Sequence, residues 1–239
     1  MDKIEKLNQI IEQSNNIVFF GGAGVSVESG IPDFRSVDGL YNQSYKYPPE
    51  VILSHTFFEK FPEEFFRFYR DKMLYLDAKP NPAHITLAKL EKKKKLSAVI
   101  TQNIDGLHRD AGSNKVFELH GCVHRNYCER CGKAYGIDVV INSVGVPHCD
   151  CGGIIKPDVV LYEEPLDDYI VQMSIAHIQA ADCLIVGGTS LSVYPAASYV
   201  HQFMGDNLIL INKSQTSIDH TASLVINDNI GEVLSKIHI

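Results

Sequence analysis

The stretch Ile17-Val18-Phe19-Phe20-Gly21-Gly22-Ala23-Gly24-Val25-Ser26 is an apolar run that leads directly into a glycine-rich loop. A short, uninterrupted apolar run bounded by glycine is typical of a strand that is buried on both faces of a parallel sheet. Glycines after such a strand let the backbone approach a phosphate, whose charge the N-terminus of a following helix would stabilise. The stretch therefore predicts an α/β fold with a ligand at the carboxyl ends of its strands.

This loop does not complete the dinucleotide-binding fingerprint of dehydrogenases. The fingerprint requires a third small residue where Val27 stands. It also requires an acidic residue at the end of a second strand about 20 residues later, and the sequence shows no evident one. A nicotinamide-dependent dehydrogenase is therefore a poor fit.

The rest of the chain alternates helical and strand patterns, as a parallel α/β sheet requires. Ile4, Leu7 and Ile11 recur at helical spacing and predict a helix at the start of the chain. Strands are predicted at residues 17–20, 98–101, 116–119, 183–187, 208–211 and 224–226. Further helices are predicted at residues 82–95 and near 167–180, 195–204 and 230–237.

Two stretches interrupt this alternation and predict a second domain. Residues 36–80 are rich in Tyr, Phe and Pro, and residues 121–155 carry cysteines and many turn residues. We expect a Rossmann-like domain with a smaller zinc-binding domain inserted into it, and a ligand in the cleft between them. The larger domain would comprise residues 1–35, 81–120 and 156–239, and the smaller one the helical insertion 36–80 and the cysteine module 121–155.

Composition excludes several classes of protein. The chain has 239 residues, of which 45% are hydrophobic and 21% are charged, as in globular proteins. Its net charge of −7 and pI near 5.8 disfavour a nucleic-acid binder with a basic face. No apolar run approaches the ~20 residues that span a bilayer, and the N-terminus does not resemble a signal peptide. We therefore expect a monomeric cytoplasmic protein that binds neither nucleic acid nor membranes.

Four cysteines predict a metal site. Cys128 and Cys131 are separated by two residues, and Cys149 and Cys151 by one. Four thiolates on two tight turns can close a tetrahedral site around Zn²⁺ and leave no coordination position open. The zinc would therefore be structural, and the chemistry would lie elsewhere in the chain.

Polar residues follow several of the predicted strands or loops. Asp33, Phe34 and Arg35 are adjacent in a probable loop, where a surface ion pair is the alternative to ligand binding. Asn103 and Asp105, with Gln102 before them, follow the strand 98–101 and could bind a ligand or cap the next helix. A second glycine-rich loop, 187–197, follows a buried strand, and Asn212 in the segment 211–214 could bind a ribose hydroxyl.

His120 is distinguished among the ten histidines. It ends a strand, precedes a glycine and begins the cysteine module. Histidine can act as a general base near neutral pH. His84, His108 and His124 are weaker candidates for this role.

Together these segments resemble the sirtuins, the NAD-dependent protein-lysine deacetylases, and among them the compact bacterial type. The resemblance runs from about residue 17 to about residue 230. Its motifs are Gly22-Ala23-Gly24-Val25-Ser26, Gly30-Ile31-Pro32-Asp33-Phe34-Arg35, Thr101-Gln102-Asn103-Ile104-Asp105, His120-Gly121, the four cysteines and Gly188-Thr189-Ser190-Leu191.

The resemblance implies both the reaction and its residues. His120 would be the general base that deprotonates a ribose hydroxyl, with Asn103 and Asp105 as the other catalytic residues. The products would be nicotinamide, free lysine and an O-acyl-ADP-ribose. NAD would contact Gly22, Ala23, Val27, Asp33, Phe34, Arg35, Gln102, Asn103, Ile104, Asp105, His120, Gly188, Thr189, Ser190, Asn212, Lys213 and Ile230. The acyl-lysine protein substrate would contact Val160, Leu161, Tyr162, Ser192 and Val193.

The chain departs from the family pattern at three places. The spacing of Cys149 and Cys151 is tighter than the commoner two-residue spacing. Glu163 stands where many sirtuins have glycine in the loop that pairs with the peptide. The Tyr-x-x-Arg pair of succinyl-specific sirtuins is missing from the stretch 66–69, and we expect an apolar pocket of Phe61, Phe65 and Phe66 that favours acetyl or longer fatty-acyl groups.

Three other functions are open to a chain of this kind. An enzyme of the same fold could transfer ADP-ribose to protein or hydrolyse NAD. A second alternative is a catalytically inactive NAD sensor, but the presence of His120, Asn103 and Asp105 counts against it, because a binding protein does not need a base there. A zinc-ribbon nucleic-acid module is disfavoured by the acidic charge.

Overall fold

The computed structural model describes residues 2–33 and 46–238 of the chain. Its strands are, in chain order, β1 (Ile17–Gly21), β2 (Leu96–Thr101), β3 (Val116–Glu118), β4 (Gly121–Cys128), β5 (Ala134–Tyr135), β6 (Ile155–Val159), β7 (Cys183–Gly187), β8 (Asn207–Ile211) and β9 (Leu224–Ile226). Its α-helices are α1 (Lys3–Gln13), α2 (Pro49–Ile52), α3 (His55–Lys60), α4 (Pro62–Lys72), α5 (Pro82–Lys92), α6 (Leu107–Asp110), α7 (Asp138–Asn142), α8 (Asp168–Ala180) and α9 (Ile230–Ser235). None of these described helices combines the length and the apolar character needed to cross a membrane.

Strand β1 lies at the centre of a six-stranded parallel sheet with the order β3-β2-β1-β7-β8-β9. All five of its residues are buried, as expected of a strand that is covered on both faces. The sheet grows from β1 toward β2 on one side and toward β7 on the other, so the strand order reverses at β1. Ligands of open α/β sheets bind outside the carboxyl ends of the strands at such a point.

Helices cover both faces of this sheet. Leu7 of α1 and Leu87 of α5 join Phe19 in an apolar cluster on one face. Ile178 of α8 joins Phe20 in the cluster on the other face. Successive residues of a strand point to opposite faces, which explains why neighbouring phenylalanines of β1 enter different clusters. Within the part of the chain that the structure describes, the covered faces leave the strand ends as the place where a ligand can reach this sheet.

A smaller unit combines helices α2–α4 with an antiparallel sheet of order β5-β4-β6. Its core is aromatic, because Phe58, Phe65, Phe66 and Tyr69 are fully buried. The ring centroids of Phe58 and Phe65 lie 5.0 Å apart in an edge-to-face arrangement. Strand β6 crosses the domain boundary predicted after residue 155, and the division into two domains stays a prediction.

The chain leaves the parallel sheet for the smaller one at Gly121. The φ angle of this residue is +77°, and a Cβ atom there would collide with the carbonyl oxygen of Asp158, so only glycine fits. The buried carboxylate of Glu118, at the end of β3, accepts a hydrogen bond from Arg125 at 2.7 Å. Arg125 also donates to the Asp158 carboxylate at 2.7 Å. These ion pairs join β3, β4 and β6 on either side of the junction.

The sequence predicted the main elements well and some of their ends less well. The strands predicted at 183–187 and 224–226 coincide with β7 and β9. The helix predicted over 82–95 ends at Lys92, because Lys94 has a φ angle of +60° and cannot continue a right-handed helix. The helix predicted near 195–204 is a 3-10 helix over Ala196–Gln202.

Candidate active site and metal centre

A cavity of about 980 Å³ opens at the carboxyl ends of β1, β2, β7 and β8, and residues of the smaller unit close its other side. The predicted NAD contacts that line it are Gly22, Ala23, Val27, Asp33, Gln102, Asn103, Ile104, Asp105, His120, Gly188, Thr189, Ser190, Asn212, Lys213 and Ile230. The predicted peptide contacts that line it are Val160, Leu161, Tyr162 and Val193, whereas Ser192 does not. Phe34 and Arg35 lie outside the described residues.

The two glycine-rich loops touch each other backbone to backbone. The amide of Gly24 donates to the carbonyl oxygen of Gly188 at 2.8 Å, and that of Gly22 to Gly187 at 3.3 Å. The φ angle of Gly188 is +60°, and a Cβ atom on it would collide with the amide nitrogen of Val25. The loops therefore present closely spaced peptide groups without side chains, which suits the binding of phosphate.

Ser26 connects the first glycine-rich loop to the loop after β2. Its hydroxyl donates to Oδ2 of Asp105 at 2.6 Å and accepts from Nδ2 of Asn103 at 3.0 Å. Oδ1 of Asp105 accepts from the amide of Leu107, the first residue of α6, at 2.9 Å. Burial raises the pKa of Asp105, while its hydrogen bonds to Ser26 and Leu107 act in the opposite direction. The helix-end contact allowed by the sequence is therefore one part of a network that also fixes Asn103.

His120 follows β3 and lines the cavity. Its Nδ1 atom lies 2.9 Å from the carbonyl oxygen of Gln102. A carbonyl oxygen only accepts hydrogen bonds, so Nδ1 carries the proton and Nε2 is left as a proton acceptor. Burial lowers the pKa of His120, and the bond to Gln102 offsets part of that effect. Burial thus favours the neutral form of the ring, in which Nε2 can accept a proton.

Asn212, in the wall of the cavity, has a hydrogen-bond donor that a bound nucleotide could satisfy. Its Oδ1 atom accepts from the amide of Thr189 at 2.9 Å. Among the described residues, its buried Nδ2 atom has no hydrogen-bond partner. An unpaired buried donor is costly, and a donor in a cavity wall can be satisfied by a bound hydroxyl or phosphate. The glycine loops and this donor together fit NAD.

The segment 160–162 extends from β6 along the cavity. The amide of Val160 donates to the carbonyl oxygen of His120 at 3.0 Å. Tyr162 forms an isolated parallel bridge with Ser54. One end of the segment is therefore attached beside the candidate base, and the other end to the helical part of the smaller unit.

The four predicted metal ligands come together. The sulfur atoms of Cys128, Cys131, Cys149 and Cys151 all lie within 4.8 Å of one another. The separation is 3.5 Å between Cys128 and Cys151 and 3.6 Å between Cys131 and Cys149. Tetrahedral zinc with bonds of about 2.3 Å places its sulfur ligands about 3.8 Å apart. A hydrogen bond from the Tyr135 hydroxyl, 3.1 Å long, lowers the pKa of Cys149 to about 6 and favours the thiolate. The cluster therefore fits a structural zinc ion.

Comparison with known proteins agrees with this geometry. A sequence model of the Sir2 family matches residues 22–195. The chain belongs to the Sir2 family. Curated relatives from Clostridium acetobutylicum and Clostridium perfringens, both named NAD-dependent protein deacetylase, are 60% and 61% identical to it over 99% of this chain and 98% of each relative. A solved structure of Sir2 with a p53 peptide and NAD⁺ is 41% identical, with a TM-score of 0.86 over 98% of this chain and 96% of that chain. A structure of Sir2 bound to an acetylated peptide is 40% identical, with the same TM-score and the same coverage.

Two residues that organise this Sir2 site were not among the predicted contacts. Ser26 belongs to the network described above, and Glu28 accepts a hydrogen bond from the amide of Gly231 at 2.7 Å. This contact ties the first glycine-rich loop to α9. Both residues are polar and lie within four residues of Gly24, and this position could have marked them as site residues in the sequence.

The acyl pocket expected from Phe61, Phe65 and Phe66 is wrong. Phe65 and Phe66 are fully buried in the core of the smaller unit, where they pack against α3, and Phe61 is 47% exposed. None of the three lines the cavity. The apolar part of the described cavity wall includes Ile31, Leu53, Met73, Leu76, Ile104, Val123, Val159 and Leu161.

We expect Gly188→Ala to lower NAD affinity about tenfold or more, because the added methyl group pushes the two glycine-rich loops apart. Isothermal titration of NAD measures the effect. Gly145→Ala is the matched control, since Gly145 also has a positive φ angle, +70°, but has open space around its Cβ position. Equal NAD affinity in the two variants would contradict the role given to the loop contact.

We expect the purified chain to carry one zinc ion, and Cys149→Ser to lose it. Loss of a structural zinc lowers the free energy of unfolding by about 3 kcal/mol or more. Metal analysis by mass spectrometry and urea unfolding measure the two effects. Cys122→Ser, which changes a buried cysteine outside the cluster, should keep its zinc. A Cys149→Ser variant with full zinc content would show that the cluster does not bind the metal.

Proposed function

We propose that the chain removes acyl groups from lysine side chains of proteins and consumes NAD, with His120 as the general base. The observation that carries this proposal is the hydrogen bond between Nδ1 of His120 and the Gln102 carbonyl oxygen. It leaves Nε2 as the basic atom in a cavity that also contains the glycine-rich loops and the segment 160–162. The name of the curated relatives, NAD-dependent protein deacetylase, supports the same reaction.

NAD and His120 have separate roles in this proposed reaction. NAD would supply the bond between nicotinamide and ribose, which breaks as the acyl oxygen of the substrate bonds to that ribose carbon. A ribose hydroxyl would then attack the acyl carbon, and one water molecule would be consumed as the lysine amine leaves. Nε2 of His120 takes the proton of that hydroxyl, while Nδ1 keeps its proton on the Gln102 carbonyl oxygen. The products are nicotinamide, the free lysine and O-acyl-ADP-ribose.

Asn103 and Asp105 hold the nicotinamide and its ribose in this proposal. Ser26 fixes both side chains from the neighbouring loop, so they are oriented before NAD binds. A carboxylate placed in advance near a ribose carbon that gains positive charge stabilises the transition state. The peptide carrying the acyl-lysine lies along Val160–Tyr162 and contacts Ser192 and Val193, so the substrate enters between the Rossmann-like domain and the smaller domain.

His120→Ala should lower the rate of deacetylation at least about 100-fold, because it removes the group that takes the ribose proton in this proposal. A mass-spectrometric assay of an acetyl-lysine peptide, with and without NAD, measures both deacetylated peptide and O-acetyl-ADP-ribose. His201→Ala, a change of an exposed histidine that does not line the cavity, is the matched control.

The wild-type rate should fall at acidic pH, because a protonated His120 cannot accept a proton. Its lowered pKa places this fall below the usual range of histidine.

ADP-ribosylated peptide, or free ADP-ribose without loss of acetyl, would indicate ADP-ribosyl transfer or NAD hydrolysis instead. NAD binding without any product would indicate a sensor.

The acyl group preferred by this site should be uncharged. Arg70 of α4, which follows the stretch 66–69, donates to the carbonyl oxygens of Val140 at 2.7 Å and Gly145 at 2.6 Å, away from the cavity. Arg67 is exposed. No arginine lines the described part of the cavity wall, which is largely apolar. Lys72 and Lys213 are the cationic side chains among the described lining residues, and neither offers the bidentate pairing with which an arginine would replace the hydration of a buried succinyl carboxylate.

We therefore expect kcat/KM for an acetyl-lysine peptide to exceed that for the succinyl-lysine peptide of the same sequence by about tenfold or more. Steady-state assays at saturating NAD measure the ratio, and the decanoyl peptide tests whether the apolar cavity accepts longer chains. The peptide with unmodified lysine controls for inhibition by product. Faster removal of succinyl than of acetyl would overturn the preference while leaving the reaction class intact.

A further inference from the structure

The cavity segment 160–162 is joined to the start of α3 by backbone hydrogen bonds. The amide of Tyr162 donates to the carbonyl oxygen of Leu53 at 2.9 Å, and the amide of His55 donates to that of Tyr162 at 3.0 Å. These bonds set the position of the segment relative to the helical part of the smaller unit.

Glu163 reinforces this joint at a position where glycine would be the easier residue. Its φ angle is +77°, a left-handed conformation that side chains other than glycine adopt at a cost. Its Oε2 atom accepts a hydrogen bond from the amide of Thr56 at 2.9 Å. Backbone strain of this kind persists where surrounding contacts hold it in place, so the side chain of Glu163 contributes to holding the segment.

Glu164 makes three contacts that meet at the same joint. Oε1 lies 2.8 Å from Nδ1 of His55, and Oε2 accepts from Nζ of Lys156 at 3.0 Å and from the amide of Leu161 at 2.8 Å. Its side chain is only 18% exposed. The carboxylate thus connects the middle of the cavity segment directly to the histidine that begins α3.

Both ring nitrogens of His55 face carboxylates. Nδ1 contacts Glu164, and Nε2 lies 3.5 Å from Oε1 of Glu59. An ionised carboxylate only accepts hydrogen bonds, so both nitrogens can donate at once only when the ring is a cation. Two carboxylates therefore lie close enough to the ring to favour its imidazolium form, with Glu164 at hydrogen-bond distance and Glu59 farther away.

We propose that His55, as an imidazolium, is a positioning residue for the peptide substrate. It holds Val160–Tyr162 through Glu164, so that loss of its proton weakens peptide binding and leaves NAD binding unchanged. The proposal rests on the proposed function, because it takes this segment as the peptide-binding edge. The contacts of the joint involve residues 53–59 and 156–164, outside the glycine-rich loops that would bind NAD.

The surrounding charges favour the cation. Glu59, Glu129, Glu163 and Glu164 face His55, and Lys156 opposes them. The hydrogen bond to Glu164 is the largest influence and raises the pKa of His55, while partial burial lowers it. A histidine with a raised pKa keeps its ion pair below about pH 6.5 and loses it as the pH rises through the raised value. The joint should therefore weaken on the alkaline side.

Direct peptide binding tests this inference without requiring turnover. Fluorescence anisotropy would measure Kd for a labelled acetyl-lysine peptide that has no other group titrating between pH 6 and 9. We expect the wild-type peptide Kd to rise about three- to tenfold from pH 6 to pH 9. His55→Gln should bind as weakly at pH 6 as the wild type does at pH 9. His55→Lys, which keeps a positive charge over this range, should show a flatter profile. His201→Gln is the matched control and should follow the wild type.

NAD affinity and the thermal unfolding midpoint complete the test. At pH 6, NAD affinity should be similar in wild type and His55→Gln, and the unfolding midpoint should fall by only about a few degrees, as expected for loss of one partly exposed ion pair. An unchanged peptide Kd in His55→Gln at that pH would overturn the proposal, as would an equal loss of NAD affinity or a large loss of stability. A His55→Lys profile as steep as that of the wild type would overturn the role of charge. If the wild type binds NAD and no acyl peptide at either pH, the proposed function fails before the role of His55 is reached.

Discussion

Close backbone contact between the loops after β1 and β7 is the constraint on which the cofactor site depends. Parallel pairing brings Gly21 level with Gly187, and the loops that follow can then meet only where neither carries a side chain. The positions of the other polar groups of the site follow from this contact. Thr189 is held by Asn212, and Ser26 reaches across to the loop after β2. The glycines thus fix the positions of polar groups that belong to four different strands.

The candidate base, His120, lies in the short stretch of backbone that connects β3 of the parallel sheet to β4 of the antiparallel sheet. The ring of His120 is oriented by the loop after β2. The backbone carbonyl oxygen of His120 accepts a hydrogen bond from the amide of Val160 in the segment 160–162. Gly121 then turns the chain, and Arg125 bridges Glu118 and Asp158 across the turn. The candidate base, the loop after β2 and the segment 160–162 are therefore positioned by one short junction.

Much of this arrangement could be predicted from the sequence, because it depends on local patterns. Buried strands read as apolar runs, zinc ligands as paired cysteines, and strand ends as glycines followed by polar residues. What failed depends on packing between elements that are distant in sequence. Phe65 and Phe66 could have faced either the cavity or the core, and only the approach of α3 to α4 decides for the core. The contacts of Glu164 with His55 and of Ser26 with Asp105 likewise join segments that no local pattern connects.

The central position of β1 also bears on how the protein is made. Its first residue, Ile17, pairs with Leu96 on one side and with Cys183 on the other. On a ribosome, this apolar strand emerges long before β7, so it cannot gain its second neighbour until the residues between them have been synthesised. Contacts between residues so distant in sequence slow folding, and an unpaired apolar strand edge promotes aggregation. The strand that organises the finished sheet is therefore the part of the nascent chain in greatest need of protection.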